Sequence, residues 1–184
     1  MITKILVGLG NPEKRYERTR HNAGFMALDL LAQTSDLDWK ENKKFNSQTA
    51  TLGDTLLLKP QTYMNNSGQA VRAALSYYKL LPKNLLTVKK DSDLSDVLTV
   101  IHDDLDIVLG KYKISADSRS AGHNGVQSII DHLKTKNFKR IRLGILTELK
   151  EKMPGEKFVL DNFGKNEMVD LEKVLGEVMN ELKK

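Results

Sequence analysis

The sequence predicts an α/β fold in which a single domain, residues 1–184, has three layers, with helices flanking a mixed, mostly parallel central sheet. Short apolar runs rich in Ile, Leu and Val alternate along the chain with segments whose apolar residues recur at helical spacing. Such alternation is typical of parallel sheets, because each helix carries the chain back to the start of the next strand. A chain of 184 residues is also long enough to bury one substantial core.

The first third of the chain predicts a strand, a turn, a helix and a hairpin. Residues 2–9 are dominated by Ile, Leu and Val and predict a buried strand, which the turn residues 10–12 end. A helix is predicted from Ala23, because the apolar residues that follow recur at helical spacing. Residues 44–60 predict a hairpin around the Gly53-Asp54 pair.

The middle of the chain predicts a second helix and a central strand. Residues 65–67 supply N-cap candidates for the helix, which Pro82 is expected to stop. A polar loop is predicted at 89–96. Residues 97–101 are almost continuously apolar, which is typical of a strand covered on both faces. The polar residues 102–104 are therefore expected at the carboxyl end of that strand.

The last third alternates strands and helices again. The predicted elements are a strand at 111–115, a polar loop at 116–122, a helix at 125–133, a strand at 138–146 and an amphipathic helix at 166–182. Because side chains alternate between the two faces of a strand, Arg140 and Arg142 are expected on one sheet face.

The composition excludes several classes of protein and site. Cysteine is absent, which excludes disulfides, thiolate nucleophiles and zinc–thiolate sites and fits a reducing cytoplasm. The amino-terminal apolar run is too brief for a signal peptide, and no stretch approaches the length of a membrane span, so we expect a cytoplasmic protein without a membrane partner. The four histidines lack the spacing of a metal-binding motif, and Gly8-x-Gly10 lacks the third glycine of a dinucleotide fingerprint.

Basic residues are concentrated in one part of the chain. The formal net charge is +5, yet the window from Lys111 to Arg142 alone holds eight Lys and Arg residues against two Asp. Clustered Lys and Arg bind polyanions by releasing counterions, and the phosphates of nucleic acid are the simplest such partner. A solvated basic face without a partner explains the same charge equally well.

Polar side chains of three chemical kinds follow predicted strands and turns. His21 follows the first strand, Asp103 follows the central strand, and Asn11, Asn65 and Asn124 lie on three separate turns. In open α/β sheets, ligands bind beyond the carboxyl ends of the central strands. An imidazole, a carboxylate and neutral amide donors together are suited to activating water at an acyl carbonyl, although any single Asn is more often a turn residue.

Five separated motifs resemble those of bacterial-type peptidyl-tRNA hydrolases, in the same order and at similar spacing, from about Ile2 to Asp161. They are Gly8-Leu9-Gly10-Asn11-Pro12, Tyr16-x-x-Thr19-Arg20-His21-Asn22-x-Gly24, Pro60-x-Thr62-Tyr63-Met64-Asn65-x-Ser67-Gly68, His102-Asp103-x-Leu105-Asp106 and Gly122-His123-Asn124-Gly125. The resemblance implies a monomeric esterase without a cofactor or metal, which cleaves the bond between a peptide and the ribose of its tRNA.

The resemblance also implies roles for individual residues. His21 would be the general base that deprotonates water, Asp103 would hold its other ring nitrogen, and Asn11 would orient His21 or the substrate carbonyl region. The substrate would be held at its acceptor end and its 5′ phosphate. The residues implied there are Asn65 and Asn124 on the peptide and the tRNA 3′ end, Met64 as an apolar wall, Tyr16 near the ribose and phosphate, and Lys113 and Arg142 on the 5′ phosphate.

The chain departs from the family pattern in a few places. Glu13 follows Asn-Pro where glycine is usual, residues 116–121 replace a glycine-rich loop, Gln127 stands where a basic residue is common, and residues 89–96 look inserted. Two other functions stay open on the sequence: an RNA-binding protein on the same scaffold without hydrolase activity, and a hydrolase of a different ester or amide. The His21, Asp103 and Asn set argues against the first, and the basic window argues against the second.

Overall fold

The computed structural model describes residues 1–84 and 87–182, and seven strands within these ranges join in one mixed sheet. The strands of this sheet are β1 (Lys4–Gly8), β2 (Lys40–Asn42), β3 (Ser47–Leu52), β4 (Thr55–Pro60), β7 (Leu98–Val108), β8 (Tyr112–Ser115) and β9 (Lys139–Leu146). Two short strands, β5 (Lys83–Asn84) and β6 (Thr87–Val88), pair with each other as a small separate hairpin. The order in the sheet is β2-β3-β4-β1-β7-β9-β8.

The centre of this sheet is parallel and its edges are antiparallel. β1 pairs in parallel with both β4 and β7, and β7 pairs in parallel with β9. β2, β3 and β8 add antiparallel pairs at the two edges. The predicted α/β fold with a mixed sheet that is mostly parallel at its core is therefore confirmed.

Helices cover both faces of the sheet and create two apolar cores. They are α1 (Ala23–Thr34), α2 (Ser67–Tyr77), α3 (Asn124–Leu133), α4 (Gly155–Leu160) and α5 (Lys165–Leu182). One core packs α1, α4 and α5 against the side chains of Leu6 and Ile101, and the other packs α2 and α3 against Val7 and Val100. Neighbouring residues of the central strands thus point into opposite cores, as the period of a strand requires.

Glycines allow α1 to lie directly against the backbone of the central strands. A Cβ on Gly8 would lie 2.3 Å from the Gly24 carbonyl oxygen, and one on Gly24 would lie 2.4 Å from the Ile101 carbonyl oxygen. Neither position leaves room for a side chain. This close contact fixes the start of α1, and with it the preceding turn that carries His21, against the end of β1 and the neighbouring part of β7.

The predicted end of the central strand was wrong. β7 does not end at Ile101 but continues to Val108, so that His102, Asp103 and Asp104 lie inside the strand. β9 pairs with this extension, whereas β1 ends at Gly8, opposite Ile101. These polar residues therefore lie beyond the end of β1, while the β7 backbone stays hydrogen-bonded to β9.

Other local differences follow from short-range geometry. α2 ends at Tyr77 rather than at Pro82, and a left-handed residue, Lys79, follows it. Asn66 is its N-cap but makes no side-chain capping hydrogen bond, because a 3₁₀ turn at Met64–Asn66 leads into the helix. β2, the β5–β6 hairpin and α4 were not predicted. Within the described residues, no helix is both long and apolar enough to cross a membrane.

Candidate active site

A cleft of about 700 Å³ opens at the carboxyl ends of the central strands. Its walls come from the turns after β1 and β4, from β7, from the loop before α3 and from α4. The predicted site residues that line it are Asn11, Tyr16, His21, Met64, Asn65, Asp103 and Asn124. Seven of the nine predicted residues are thus brought together around one cavity.

His21 and Asp103 form a buried pair at the base of the cleft. His21 lies in a 3₁₀ turn, Arg20–Asn22, and is 9% exposed, while Asp103 on β7 is 2% exposed. The distances from His21 Nδ1 to the two carboxylate oxygens are 2.9 and 3.0 Å. Residues 82 positions apart in the chain therefore share a hydrogen bond, because the chain that follows β1 carries His21 beside the part of β7 that extends past the end of β1.

His123 gives Asp103 a second imidazole partner. Its Nδ1 accepts hydrogen bonds from the backbone N–H groups of Gly125, at 3.1 Å, and Val126, at 3.3 Å, and so caps α3. A nitrogen that accepts cannot carry a proton, so the proton of neutral His123 is on Nε2, which donates to Asp103 Oδ1 over 2.9 Å. The family motif contains His123, but the sequence offered no role for it.

The Asp103 carboxylate determines where the proton of neutral His21 lies. A carboxylate can only accept hydrogen bonds, so His21 Nδ1 carries the proton and donates, and the lone pair of His21 is on Nε2. Burial raises the pKa of Asp103, but the charges and hydrogen bonds of His21 and His123 outweigh it and hold that pKa far below its usual range. Burial likewise lowers the pKa of His21, yet the Asp103 carboxylate outweighs it and raises that pKa above 6.5.

His102 is a third imidazole beside the pair. Its Nδ1 donates to the backbone carbonyl of Asp103 over 2.7 Å, and its ring meets that of His123 edge to face with 4.8 Å between centroids. Complete burial, with a smaller contribution from the nearby His123, lowers the pKa of His102 to about 3. His102 is therefore neutral at physiological pH and adds no charge next to Asp103.

Within the described residues, the side chains of His21, Asp103 and His123 form the group that most resembles a metal site. One ligand atom from each of His21, Asp103 and His123 lies within 4.8 Å of the others. A metal between them would need the lone pair of His123 Nε2, and the ring would then carry its proton on Nδ1, which already accepts from two backbone amides. The arrangement suits a proton network better than a metal ion.

Arg20 anchors the turn that carries His21. Its Nη2 bonds to the Glu167 carboxylate at 2.7 and 2.9 Å, and its guanidinium lies 4.2 Å from the centroid of the Phe158 ring. Its backbone N–H donates to the Asp161 carbonyl over 3.0 Å. These contacts join the turn to α4 and α5, and α4 lines the cleft.

Asn11 joins two walls of the cleft. Its Oδ1 accepts from the backbone N–H of Met64 over 2.9 Å, and its own backbone is held by the Asn22 carboxamide at 2.9 and 3.0 Å. Among the described residues, the Asn11 side chain bonds to Met64 rather than to His21. Its Nδ2 donor is therefore left to face the cleft, which favours contact with a substrate over orientation of the imidazole.

Lys113 and Arg142 lie next to the cleft rather than in its lining. They are directly opposite each other in the β8–β9 ladder, which places both side chains on one face. Arg142 Nε bonds to Asp104 Oδ2 over 2.7 Å, and Asp104 itself lines the cleft. Arg140 shares that face but is 1% exposed and donates to carbonyls of the 116–122 loop, so it holds the loop in place.

Known proteins resemble this chain in sequence. The family model described as peptidyl-tRNA hydrolase matches residues 5–184. The peptidyl-tRNA hydrolase of Synechocystis sp. is 42% identical over 183 residues, covering 95% of this chain and 85% of the relative. That of Listeria monocytogenes is 40% identical over 172 residues, covering 91% and 84%.

A solved structure agrees with the sequence relatives. The crystal structure of peptidyl-tRNA hydrolase from Acinetobacter baumannii superimposes with a TM-score of 0.82 at 29% identity, covering all of this chain and 89% of the other. Similarity therefore extends over the whole chain in both sequence and fold. The chain belongs to the peptidyl-tRNA hydrolase family.

Proposed function

We propose that this chain hydrolyses the ester bond between a peptide and the 3′ ribose of its tRNA, with water as nucleophile and His21 as general base. It acts as a cytoplasmic monomer, needs neither metal nor cofactor, and returns tRNA from prematurely released peptidyl-tRNA. The observation that carries the proposal is the buried Asp103 carboxylate, which accepts from two imidazoles beside an open cleft. Family membership supplies the class of substrate.

The reaction needs one proton carrier. Water in the cleft attacks the ester carbonyl while His21 Nε2 takes a proton from it, which gives an anionic tetrahedral intermediate and an imidazolium. The intermediate collapses, the bond from carbon to the ribose oxygen breaks, and the imidazolium returns the proton to that oxygen. The products are the tRNA hydroxyl and the carboxylic acid of the peptide, which loses its proton to solvent at neutral pH.

Asp103 contributes by orientation and charge. Its carboxylate holds the proton on Nδ1, which leaves the Nε2 lone pair directed at water, and it stabilises the imidazolium once that forms. His123 acts on Asp103 in turn. Because α3 fixes the His123 tautomer, one carboxylate oxygen is held by its Nε2–H, and the plane of the carboxylate is set relative to His21.

The remaining cleft residues hold the substrate. Asn11 Nδ2 donates to the substrate carbonyl region, where negative charge develops. Asn65 and Asn124 are exposed in the lining of the cleft and donate to the peptide and the tRNA 3′ end. Met64, 3% exposed, is the apolar wall, and Tyr16 lies near the ribose and phosphate.

The 5′ phosphate is bound by Lys113 and Arg142. Asp104 engages Arg142 through Nε and so leaves the two terminal nitrogens of the guanidinium for a phosphate. Lys113, exposed on the neighbouring strand, adds a second positive charge on the same face. A substrate that carries a phosphate there would be distinguished from esters that lack one.

The test is hydrolysis of two matched substrates, N-acetylated aminoacyl-tRNA and free aminoacyl-tRNA, both with a chelator present. We expect cleavage of the blocked substrate alone, with unchanged rate in chelator. Binding without cleavage would support the RNA-binding alternative instead. Equal cleavage of a simple ester without tRNA would support a hydrolase of a different ester, and loss of activity in chelator would contradict a reaction without metal.

A further inference from the structure

We propose that Glu13 and Tyr63 form a clasp between two loops at the rim of the cleft, and that Glu13 is a positioning residue for substrate binding. The clasp is defined as the hydrogen bond from the Tyr63 hydroxyl to Glu13 Oε1 together with the ion pair of Arg15 on the same carboxylate. This inference rests on the proposed function, since it concerns how the cleft holds that substrate.

Both members of the clasp have a backbone conformation that side chains rarely adopt. Glu13 has φ 84° and ψ 138°, and Tyr63 has φ 57° and ψ 161°. Glycine has no Cβ and adopts positive φ without strain, whereas Glu and Tyr adopt it at a cost. Strained residues of this kind persist where surrounding contacts hold them and cluster at binding sites.

The contacts that hold them form a chain across two loops. The loop after β1 supplies Glu13, and the loop after β4 supplies Tyr63. Arg15 Nε lies 3.1 Å from Glu13 Oε2, and the Arg15 guanidinium lies 4.7 Å from the centroid of the Tyr16 ring. The Glu13 carboxylate thus contacts Tyr63 directly and Tyr16 through Arg15. Both tyrosines line the cleft.

The same two loops carry much of the substrate site. Asn11 and Tyr16 lie on the first, and Met64 and Asn65 lie on the second. The hydrogen bond from Met64 N–H to Asn11 Oδ1 joins the loops at their buried base, and the clasp joins them at the exposed rim. Two ties on one pair of loops fix their spacing, and with it the position of Tyr16 relative to Asn65 in the cleft lining.

The charge of the clasp suits a polyanionic substrate. Arg15 pairs with Glu13, so the carboxylate at the rim does not present an uncompensated negative charge to phosphates. The hydrogen bond from Tyr63 lowers the pKa of Glu13, and the same bond raises the pKa of Tyr63. At neutral pH, Glu13 therefore stays ionised and accepts the hydrogen bond, and Tyr63 stays protonated and donates it.

The test compares Tyr63→Phe, Glu13→Ala and the double variant on N-acetylated aminoacyl-tRNA. Each single change should raise KM by about three- to ten-fold, the size expected for the net loss of one ordinary hydrogen bond, with kcat nearly unchanged. Because Glu13→Ala already breaks the whole clasp, the double variant should have the KM of Glu13→Ala. Unchanged KM in the single variants, or effects that multiply in the double, would overturn the clasp.

A glycine substitution separates positioning from stability. Glu13→Gly relieves the positive φ and should unfold at a higher temperature than Glu13→Ala while keeping the raised KM. Asp36→Gly is the matched control, since Asp36 also has positive φ, 52°, but follows the far end of α1; it should raise the unfolding temperature without changing KM. A wild-type KM in Glu13→Gly would show that only the backbone matters and would overturn the proposal.

The dissociation constant of the same substrate is measured in parallel. It should rise with KM in Glu13→Ala and Tyr63→Phe. If the wild-type protein bound the substrate but failed to hydrolyse it, the proposed function would fail, while the dissociation constants would still decide the clasp.

Discussion

Asp103→Asn perturbs the proposed proton network with almost no change of shape. The carboxylate offers two acceptor oxygens, whereas the carboxamide offers one acceptor and one donor. His123 must donate to position 103, because its Nδ1 accepts from the amides of Gly125 and Val126. The amide oxygen will therefore take the place of Oδ1, which lies 2.9 Å from both His123 Nε2 and His21 Nδ1, and the NH₂ group will take the place of Oδ2, 3.0 Å from His21 Nδ1.

This arrangement favours the wrong tautomer of His21. Next to the NH₂ donor, Nδ1 is better placed to accept, and the proton then lies on Nε2, the nitrogen that must accept from water. The productive tautomer would set the Nδ1–H of His21 against the NH₂ group, at about 1–3 kcal/mol for one poorly paired buried donor. Loss of the carboxylate charge also removes the stabilisation of the imidazolium, so we expect kcat to fall by about 10²- to 10⁴-fold.

The assay is single-turnover cleavage of N-acetylated aminoacyl-tRNA with enzyme in excess. Adding His123→Ala removes the donor that fixes the amide, which is then free to rotate and accept from His21 Nδ1–H. The double variant Asp103→Asn/His123→Ala should therefore react about ten-fold faster than Asp103→Asn alone. His123→Ala in the wild-type background is the control and should react more slowly than wild type.

Two results would refute this reasoning. Wild-type kcat in Asp103→Asn would remove the carboxylate from the mechanism. A double variant no faster than Asp103→Asn would show that His123 does not set the orientation of the side chain at position 103.

Three further predictions use other parts of the molecule. The pKa of His21 is raised above 6.5 and its neutral form is the base, so kcat/KM should rise with pH through that raised value and level off above it; a flat profile between pH 5 and 8 would contradict this. Lys113→Ala and Arg142→Ala should each lower the slope of log affinity for tRNA against log salt by about one, and unchanged slopes would show a basic face without a phosphate contact. Gly68→Ala would place a Cβ 2.1 Å from a backbone oxygen of α3 and should lower stability by about 1–3 kcal/mol in thermal unfolding. Gly176→Ala, which meets open space on α5, should instead raise stability by about 0.5–1 kcal/mol, and equal effects of the two would contradict the packing argument.

Much of the fold follows from local patterns in the sequence. The alternation of strands and helices predicted the parallel centre, and the rule that ligands bind beyond the carboxyl ends of such strands placed His21 near Asp103. The register agrees, since Gly8 at the end of β1 lies opposite Ile101 on β7. Two side chains far apart in the chain could therefore be expected to meet.

The extension of β7 could not be predicted in the same way. A run of His-Asp-Asp after an apolar strand is normally a loop, because charged groups in a sheet interior need partners. Here the partners come from distant segments: His21 and His123 bond to Asp103, and Arg142 bonds to Asp104. Only the three-dimensional structure brings those partners together.

Two features of the candidate site also depend on contacts that the sequence does not display. The tautomer of His123 depends on the amides at the start of α3, and the clasp depends on Glu13 reaching Tyr63 across two loops. α4 was missed because six residues are too few to show helical periodicity. The roles of all nine candidate residues remain predictions of the proposed mechanism.

The most direct test of the general base is His21→Ala under single-turnover conditions, combined with a binding measurement on the same N-acetylated aminoacyl-tRNA. Removing the imidazole leaves the cleft and its phosphate-binding residues in place, so the dissociation constant should stay within a few-fold of wild type while the rate constant falls by about 10³-fold or more. A rate constant within ten-fold of wild type at unchanged affinity would contradict the assignment of His21 as the base.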